Sequence, residues 1–231
     1  MALEHEVRPI HLRPAAEVAE RVLLPGDPHR ALAVAQELLD GPRMFNHSRG
    51  LWGYTGTAGD GEPLTVQSTG MGGPSAAIVS EELIALGARR LVRIGTCGAL
   101  AGDVAIGELV AAERVLPADG ASAALGARGE LLPDRRLTEG LVAAGARRAT
   151  VVSTDLFYDP REHAAADWLG RGATVVEMEA AALLQVCARR GAAAACVLGV
   201  SDLAGQRIDP EGLDLLGVRL GEAGFAALSS R

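Results

Sequence analysis

The chain has 231 residues, 48% of them hydrophobic, enough for one or two domains with a sizeable core. Its 29 acidic residues outweigh 22 basic ones for a net charge of −7, and only 3% are aromatic, which argues against a basic or base-stacking surface for nucleic acid. All 22 cations are arginine, so Schiff-base, pyridoxal-phosphate and Walker-type lysine chemistry is excluded, and any anion must be held by arginine, backbone N–H groups, hydroxyls or histidine.

Short apolar runs alternate with amphipathic stretches, the pattern of an α/β fold, and no linker or repeat divides residues 1–231 into more than one domain. Val22-Leu23-Leu24 reads as a strand that turns at Pro25-Gly26 into a helix, with Asp27 as N-cap and Pro28 in the first helical position. Residues 51–68 read as a hairpin around Ala58-Gly59-Asp60-Gly61, and Leu64–Ser68 leads through Gly70-Met71-Gly72 into a helix from Ala76 to about Leu86. Leu91–Ile94 is a short strand ending at Gly95-Thr96, and Thr150–Ser153 and Ala173–Val176 are two more. Ala192–Val200 is a buried strand ending on Ser201-Asp202, too short to span a membrane, and a final helix covers Leu213 to Ser229. Residues 116–136, rich in Gly, Ala, Pro and charge, read as an irregular surface segment. Three cysteines without CxxC spacing, and an N-terminus without an apolar signal-like core, point to a reducing cytoplasmic setting with no disulfide framework or metal site.

Four strand ends carry glycine or a polar residue: Gly26-Asp27, Gly70-Met71-Gly72, Gly95-Thr96 and Ser201-Asp202. Any one could be a tight turn, but together they fit a ligand crevice beyond the carboxyl ends of the strands. A dinucleotide is a poor fit: Gly70–Ser75 lacks the third glycine of GxGxxG, and Arg90 stands about 20 residues on, where an acid is needed. Arg93 lies inside an apolar strand and requires a partner, either a structural ion pair or, with Thr96 and Arg30, an oxyanion of phosphate size. Glu177 and Glu179 enter a helix that is apolar almost all round. Glu179 either complements the helix N-terminus or accepts hydrogen bonds from a ribose diol. Asp202 either caps a turn or serves as a general acid at a strand end of low dielectric.

Taken in order, seven segments resemble the hexameric purine nucleoside phosphorylases of the nucleoside phosphorylase-I superfamily. They are Gly26–Arg30, Arg49–Gly56, Gly70–Gly72, Arg93–Gly98, Ser153–Tyr158, Val176–Ala180 and Ser201-Asp202. The resemblance implies a central mixed, twisted β-sheet flanked by helices. It implies that Gly26, Arg30, Arg93 and Thr96 hold phosphate, joined by Arg49 from a neighbouring subunit, and that Met71, Met178 and Glu179 surround the ribose. His11 of the neighbour reaches toward the 5′-hydroxyl, and Cys97, Gly98, Phe157, Val176, Glu177 and Ser201 line the base pocket. Asp202 donates a proton to purine N7 with help from Arg219. The implied assembly is a hexamer built as a trimer of dimers, acting on purine nucleosides with inorganic phosphate as co-substrate and no cofactor. Uridine phosphorylase is the nearest alternative, but Asp159–His163 does not match that branch. A methylthioadenosine or adenosylhomocysteine nucleosidase would not need the phosphate arginines, and a non-catalytic nucleoside sensor would not need the acid.

Overall fold

The computed structural model describes residues 7–100 and 102–230. Ten strands form one mixed sheet: β1 (Arg21–Leu24), β2 (Leu39–Asn46), β3 (Gly53–Ala58), β4 (Pro63–Gln67), β5 (Arg90–Ala99), β6 (Leu109–Ala118), β7 (Arg147–Thr154), β8 (Val175–Glu177), β9 (Ala193–Leu203) and β10 (Gln206–Arg207). Seven helices accompany them: α1 (Pro28–Leu38), α2 (Gly73–Ala85), α3 (Gly120–Ala124), α4 (Arg135–Ala143), α5 (Ala164–Gly170), α6 (Ala180–Arg190) and α7 (Pro210–Ser229). The sheet order is β10-β9-β6-β7-β8-β5-β1-β4-β3-β2, and β5 also pairs with β9. That extra pairing closes β5, β9, β6, β7 and β8 into a ring, while β1, β4, β3 and β2 extend from it as an open wing.

Both faces of the central strands are buried, so their side chains alternate between two apolar layers. Val22, Leu24 and Leu91 pack with Val79, Leu83 and Leu183 of α2 and α6. Leu23, Val92 and Ile94 pack with Val34, Leu220 and Leu141 of α1, α7 and α4. The α1 start follows the expectation: the Asp27 side chain accepts from the Arg30 N–H at 2.8 Å, and a proline opens the helix. The hairpin is also in place, with β3 antiparallel to β4.

The structure differs from the expected elements in three places, the first of which shapes the site. The strand expected at Leu91–Ile94 runs on to Ala99, and the one expected at Ala192–Val200 runs on to Leu203, because the two are parallel partners along their whole length. Edge strand β2 was not expected, and its Pro42 is tolerated because an edge strand needs no donor on its open side. Much of the segment expected to be irregular is ordered: residues 116–118 finish β6, α3 follows with Asp119 as its N-cap, and Leu131 bridges back to Val115.

Candidate active site

A cavity of about 750 Å³ opens where β1, β5, β7, β8 and β9 end. Gly26, Asp27 and Arg30 reach it from the β1–α1 turn, and Gly70 and Met71 from the β4–α2 turn. Arg93, Thr96, Cys97 and Gly98 come from β5, Phe157 from the loop after β7, Val176 to Glu179 from the β8–α6 junction, and Ser201 and Asp202 from β9. Met71 (87% exposed) and Phe157 (63%) stand at the rim.

Arg93 is the centre of this constellation and is only 5% exposed. Its side chain lies over Gly95, two residues along the same strand face, where a Cβ would meet the guanidinium Nη2 at 2.6 Å. Arg93 Nε donates to Glu177 Oε2 at 2.8 Å, and Nη2 pairs with Glu179 Oε2. Nη1 is buried without a hydrogen-bond partner. Burial opposes the charge on Arg93, but the carboxylates of Glu179 and Glu177 outweigh it and hold its pKa above the usual arginine range. Two carboxylates share this one guanidinium, so the less fully paired one carries the cost. Burial, with Glu177 nearby, pushes the Glu179 carboxyl up despite Arg93. Glu179 also accepts the Gly72 N–H at 2.5 Å. Burial pulls the Arg30 guanidinium down against the pull of Asp27, and Arg93 adds repulsion, so two cations converge on one end of the cavity.

Glu177 is occupied differently from a base-reading carboxylate. Its oxygens accept from Arg93 Nε, from the Glu179 N–H (2.9 Å), from the Ala180 N–H (2.9 Å) and from Ser153 Oγ. The Ala181 N–H in turn donates to Ser153 Oγ at 2.9 Å. These two side chains therefore cap the start of α6 and release Glu179, which makes no capping bond, to face the cavity.

At the other end, the β5–β9 register shifts between Cys97 and Gly98, which leaves Ser201 as an extra residue and turns Asp202 toward Gly98. A Cβ at Gly98 would lie 2.9 Å from Asp202 Oδ1. Ser201 Oγ sits 3.0 Å from Asp202 Oδ2 and 3.2 Å from the Cys97 carbonyl, which fixes the acid's orientation. Burial raises the Cys97 thiol, so this wall of the pocket stays neutral.

The sequence profile of the phosphorylase superfamily matches residues 20–218. The chain belongs to this superfamily. Among its relatives, a DeoD-type purine nucleoside phosphorylase of Geobacillus kaustophilus is 37% identical over 80% of this chain and 82% of its own. Those of Exiguobacterium sibiricum and Clostridium beijerinckii are 34% and 36% identical, each over 84% of this chain and over 86% and 85% of theirs.

Three residues carried over from the superfamily lie outside the cavity of their own chain. Arg219 is on the exposed side of α7, where Nη1 donates to the Gly107 carbonyl at 2.9 Å rather than reaching Asp202. Arg49 is exposed, in a turn where it adopts φ +59°. His11 is held by Glu82, which accepts from its Nδ1 at 2.7 Å and from the backbone N–H groups of residues 10–12. Buried Asn46 ties these last two segments together, accepting from the Arg13 and Ser48 N–H groups and donating to the Leu51 carbonyl. Arg207, absent from the sequence reading, lines the cavity and faces Asp202 across the β9–β10 ladder. The signal for it was the two-residue turn Ala204-Gly205, both with positive φ, where alanine stands in place of the usual asparagine or glycine. Among the described residues no cluster of three His, Cys, Asp or Glu could hold a metal, and no helix is long and apolar enough to cross a membrane.

Proposed function

We propose that the chain catalyses phosphorolysis of purine ribonucleosides and deoxyribonucleosides to the free base and (deoxy)ribose 1-phosphate, as the names of its relatives suggest. The observation that carries this reading is the unpartnered Nη1 of buried Arg93, in one cavity with Arg30, Glu179 and Asp202. A buried donor without an acceptor is costly, and an incoming oxyanion would relieve it. Gly26, Arg30, Arg93 and Thr96 would hold phosphate. Met71, Met178 and Glu179 would surround the ribose, with Glu179 accepting from the 2′- and 3′-hydroxyls. Cys97, Gly98, Phe157, Val176 and Ser201 would surround the base.

In this mechanism Asp202 gives its proton to purine N7, so the base leaves neutral as the C1′–N9 bond breaks. Positive charge grows on the ribose, and an oxygen of the held phosphate forms the new bond to C1′ from the opposite face. Catalysis comes from positioning and fixed charge, and no cofactor or metal enters any step. Besides the proton donor Asp202, four acidic side chains line the cavity against three guanidiniums, few cations for a phosphate dianion. Arg49 donated by a neighbouring copy would add a fourth guanidinium, with that copy's His11 reaching toward the 5′-hydroxyl, which favours shared sites and a hexamer built as a trimer of dimers. The free, buried cysteines fit a cytoplasmic salvage enzyme, and we read residues 1–231 as one domain.

A panel of adenosine, inosine, guanosine, uridine and methylthioadenosine, assayed with and without phosphate, tests the reading. Purine nucleosides should be cleaved only with phosphate, and Asp202→Asn should lower kcat by roughly 10²–10⁴-fold while the nucleoside still binds. Preferred cleavage of uridine, or unchanged turnover by the variant, would refute the assignment.

A further inference from the structure

Two buried side chains meet with unequal numbers of partners. The two carboxyl oxygens of Glu177 offer about four acceptor positions, and the chain itself fills them with Arg93 Nε, Ser153 Oγ and the N–H groups of Glu179 and Ala180. Nothing is left over to accept from a base. Arg93, by contrast, has Nε on Glu177 and Nη2 on Glu179, and keeps Nη1 unpartnered.

We propose that Glu177 is a positioning residue of the phosphate site, locking Arg93 so that its Nη1 edge is presented to the oxyanion, and that it does not read the base. This rests on the phosphorolysis reading and refines it. Glu177 can serve as a fixed bracket because it is anchored on three sides. It caps the start of α6, it faces Ser153 across the β7–β8 ladder, and it is buried. Rotating the guanidinium to offer phosphate its full fork would break the Nε bond to this anchored carboxylate. A plain structural ion pair would turn the fork toward one carboxylate and leave no nitrogen idle. The arrangement found spends two nitrogens on orientation and reserves the third. Arg30 then supplies a second point of attachment from the β1–α1 turn.

The test uses the full-length protein with Glu177→Gln and, as a milder change that removes one anchor, Ser153→Ala. Four quantities are measured: KM for phosphate, KM for nucleoside, the adenosine-to-inosine rate ratio, and the gain in Tm on adding inorganic phosphate alone. Glu177→Gln should raise the phosphate KM tenfold or more and shrink the phosphate-induced Tm gain. Nucleoside KM and the base ratio should stay within twofold, and Ser153→Ala should move the same quantities two- to threefold. A changed base ratio with unchanged phosphate KM would overturn the proposal in favour of a base contact. A fall in kcat alone, with both KM values unchanged, would overturn it in favour of a purely structural role. Should Glu177→Gln not fold, Ser153→Ala decides by the same criteria. The phosphate-only Tm gain needs no turnover, so it separates failure of this proposal from failure of phosphorolysis, which phosphate-independent cleavage by the wild type would reveal. A wild-type protein with no phosphate-induced gain would overturn the proposal as well.

Discussion

Arg21 and Arg93 are both almost fully buried, on the neighbouring parallel strands β1 and β5, yet they lie level with opposite ends of β1, Arg21 opening it and Arg93 opposite its last residue, Leu24. Arg21 opens β1, and its guanidinium donates to Asp60 through both terminal nitrogens (2.5 and 2.9 Å), to the carbonyls of Glu62 and Pro63, and to Ser229 Oγ. Every nitrogen is used, so the fork clasps the β3–β4 turn to the end of α7. The hollow beside it, about 810 Å³, is larger than the proposed active site, and none of its lining atoms is a buried, unpartnered donor or acceptor. Arg93 has two carboxylates close by and still keeps one nitrogen idle. Hollow size does not separate the two ends. The unsatisfied donor does: among the described residues four buried side-chain polar atoms lack a partner, Gln67 Oε1, Ser68 Oγ, Ser80 Oγ and Arg93 Nη1, and of these four residues Arg93 alone is charged and lines a hollow.

Substitutions should separate the two arginines sharply. Arg93→Met should cut phosphate-dependent turnover by roughly 10²–10³-fold, the range for losing a preorganised oxyanion donor, as read from kcat/KM for phosphate. It also strands Glu177 and Glu179 together, so its loss of stability should shrink as pH falls from neutral and Glu179, already raised by burial, takes up a proton. Arg21→Met should do the reverse. Breaking this pair costs about 3 kcal/mol, the low end of the buried range because Asp60 is partly exposed, and lowers Tm by roughly 6–12 °C in calorimetry. Activity per folded molecule should stay within twofold of wild type. An Arg21 variant with a raised phosphate KM would break the comparison.

Smaller effects refine it. The hydrogen bond to the Arg21 guanidinium, opposed by desolvation, holds the Asp60 carboxyl well below its usual range. A depressed carboxylate stabilises the fold above its unfolded pKa, about 3.9, and that contribution is lost as pH falls further toward the folded value. Plots of Tm against pH should therefore fall below about pH 4 in the wild type and fall less steeply in Asp60→Asn. Arg207→Gln, which removes the guanidinium facing Asp202, should reduce kcat by about three- to tenfold, less than loss of a general acid. Arg219→Gln should leave kcat unchanged, since that side chain is engaged with Gly107.

Much of the site was legible because its residues cluster at local chain features. The Asp27-Pro28 cap, the Gly70-Met71-Gly72 turn and the Glu177–Glu179 entry to α6 can each be read from a few adjacent residues. What escaped depends on contacts distant in sequence. Gly95 looks like a strand end, but the strand continues, and the glycine is there to make room for the Arg93 side chain. The ring closed by β5 and β9 has no local signature, nor does the bulge at Ser201 that aims Asp202. The family resemblance implies that Glu177 lines the base pocket. Only the partners of its oxygens show that it is already engaged.

The most direct test of the account is the initial rate of adenosine cleavage as phosphate is raised from zero, with base, ribose 1-phosphate and free ribose all quantified. The account predicts no cleavage without phosphate, a saturating rise, and one ribose 1-phosphate for each base released. Cleavage at full rate without phosphate, yielding free ribose, would contradict it.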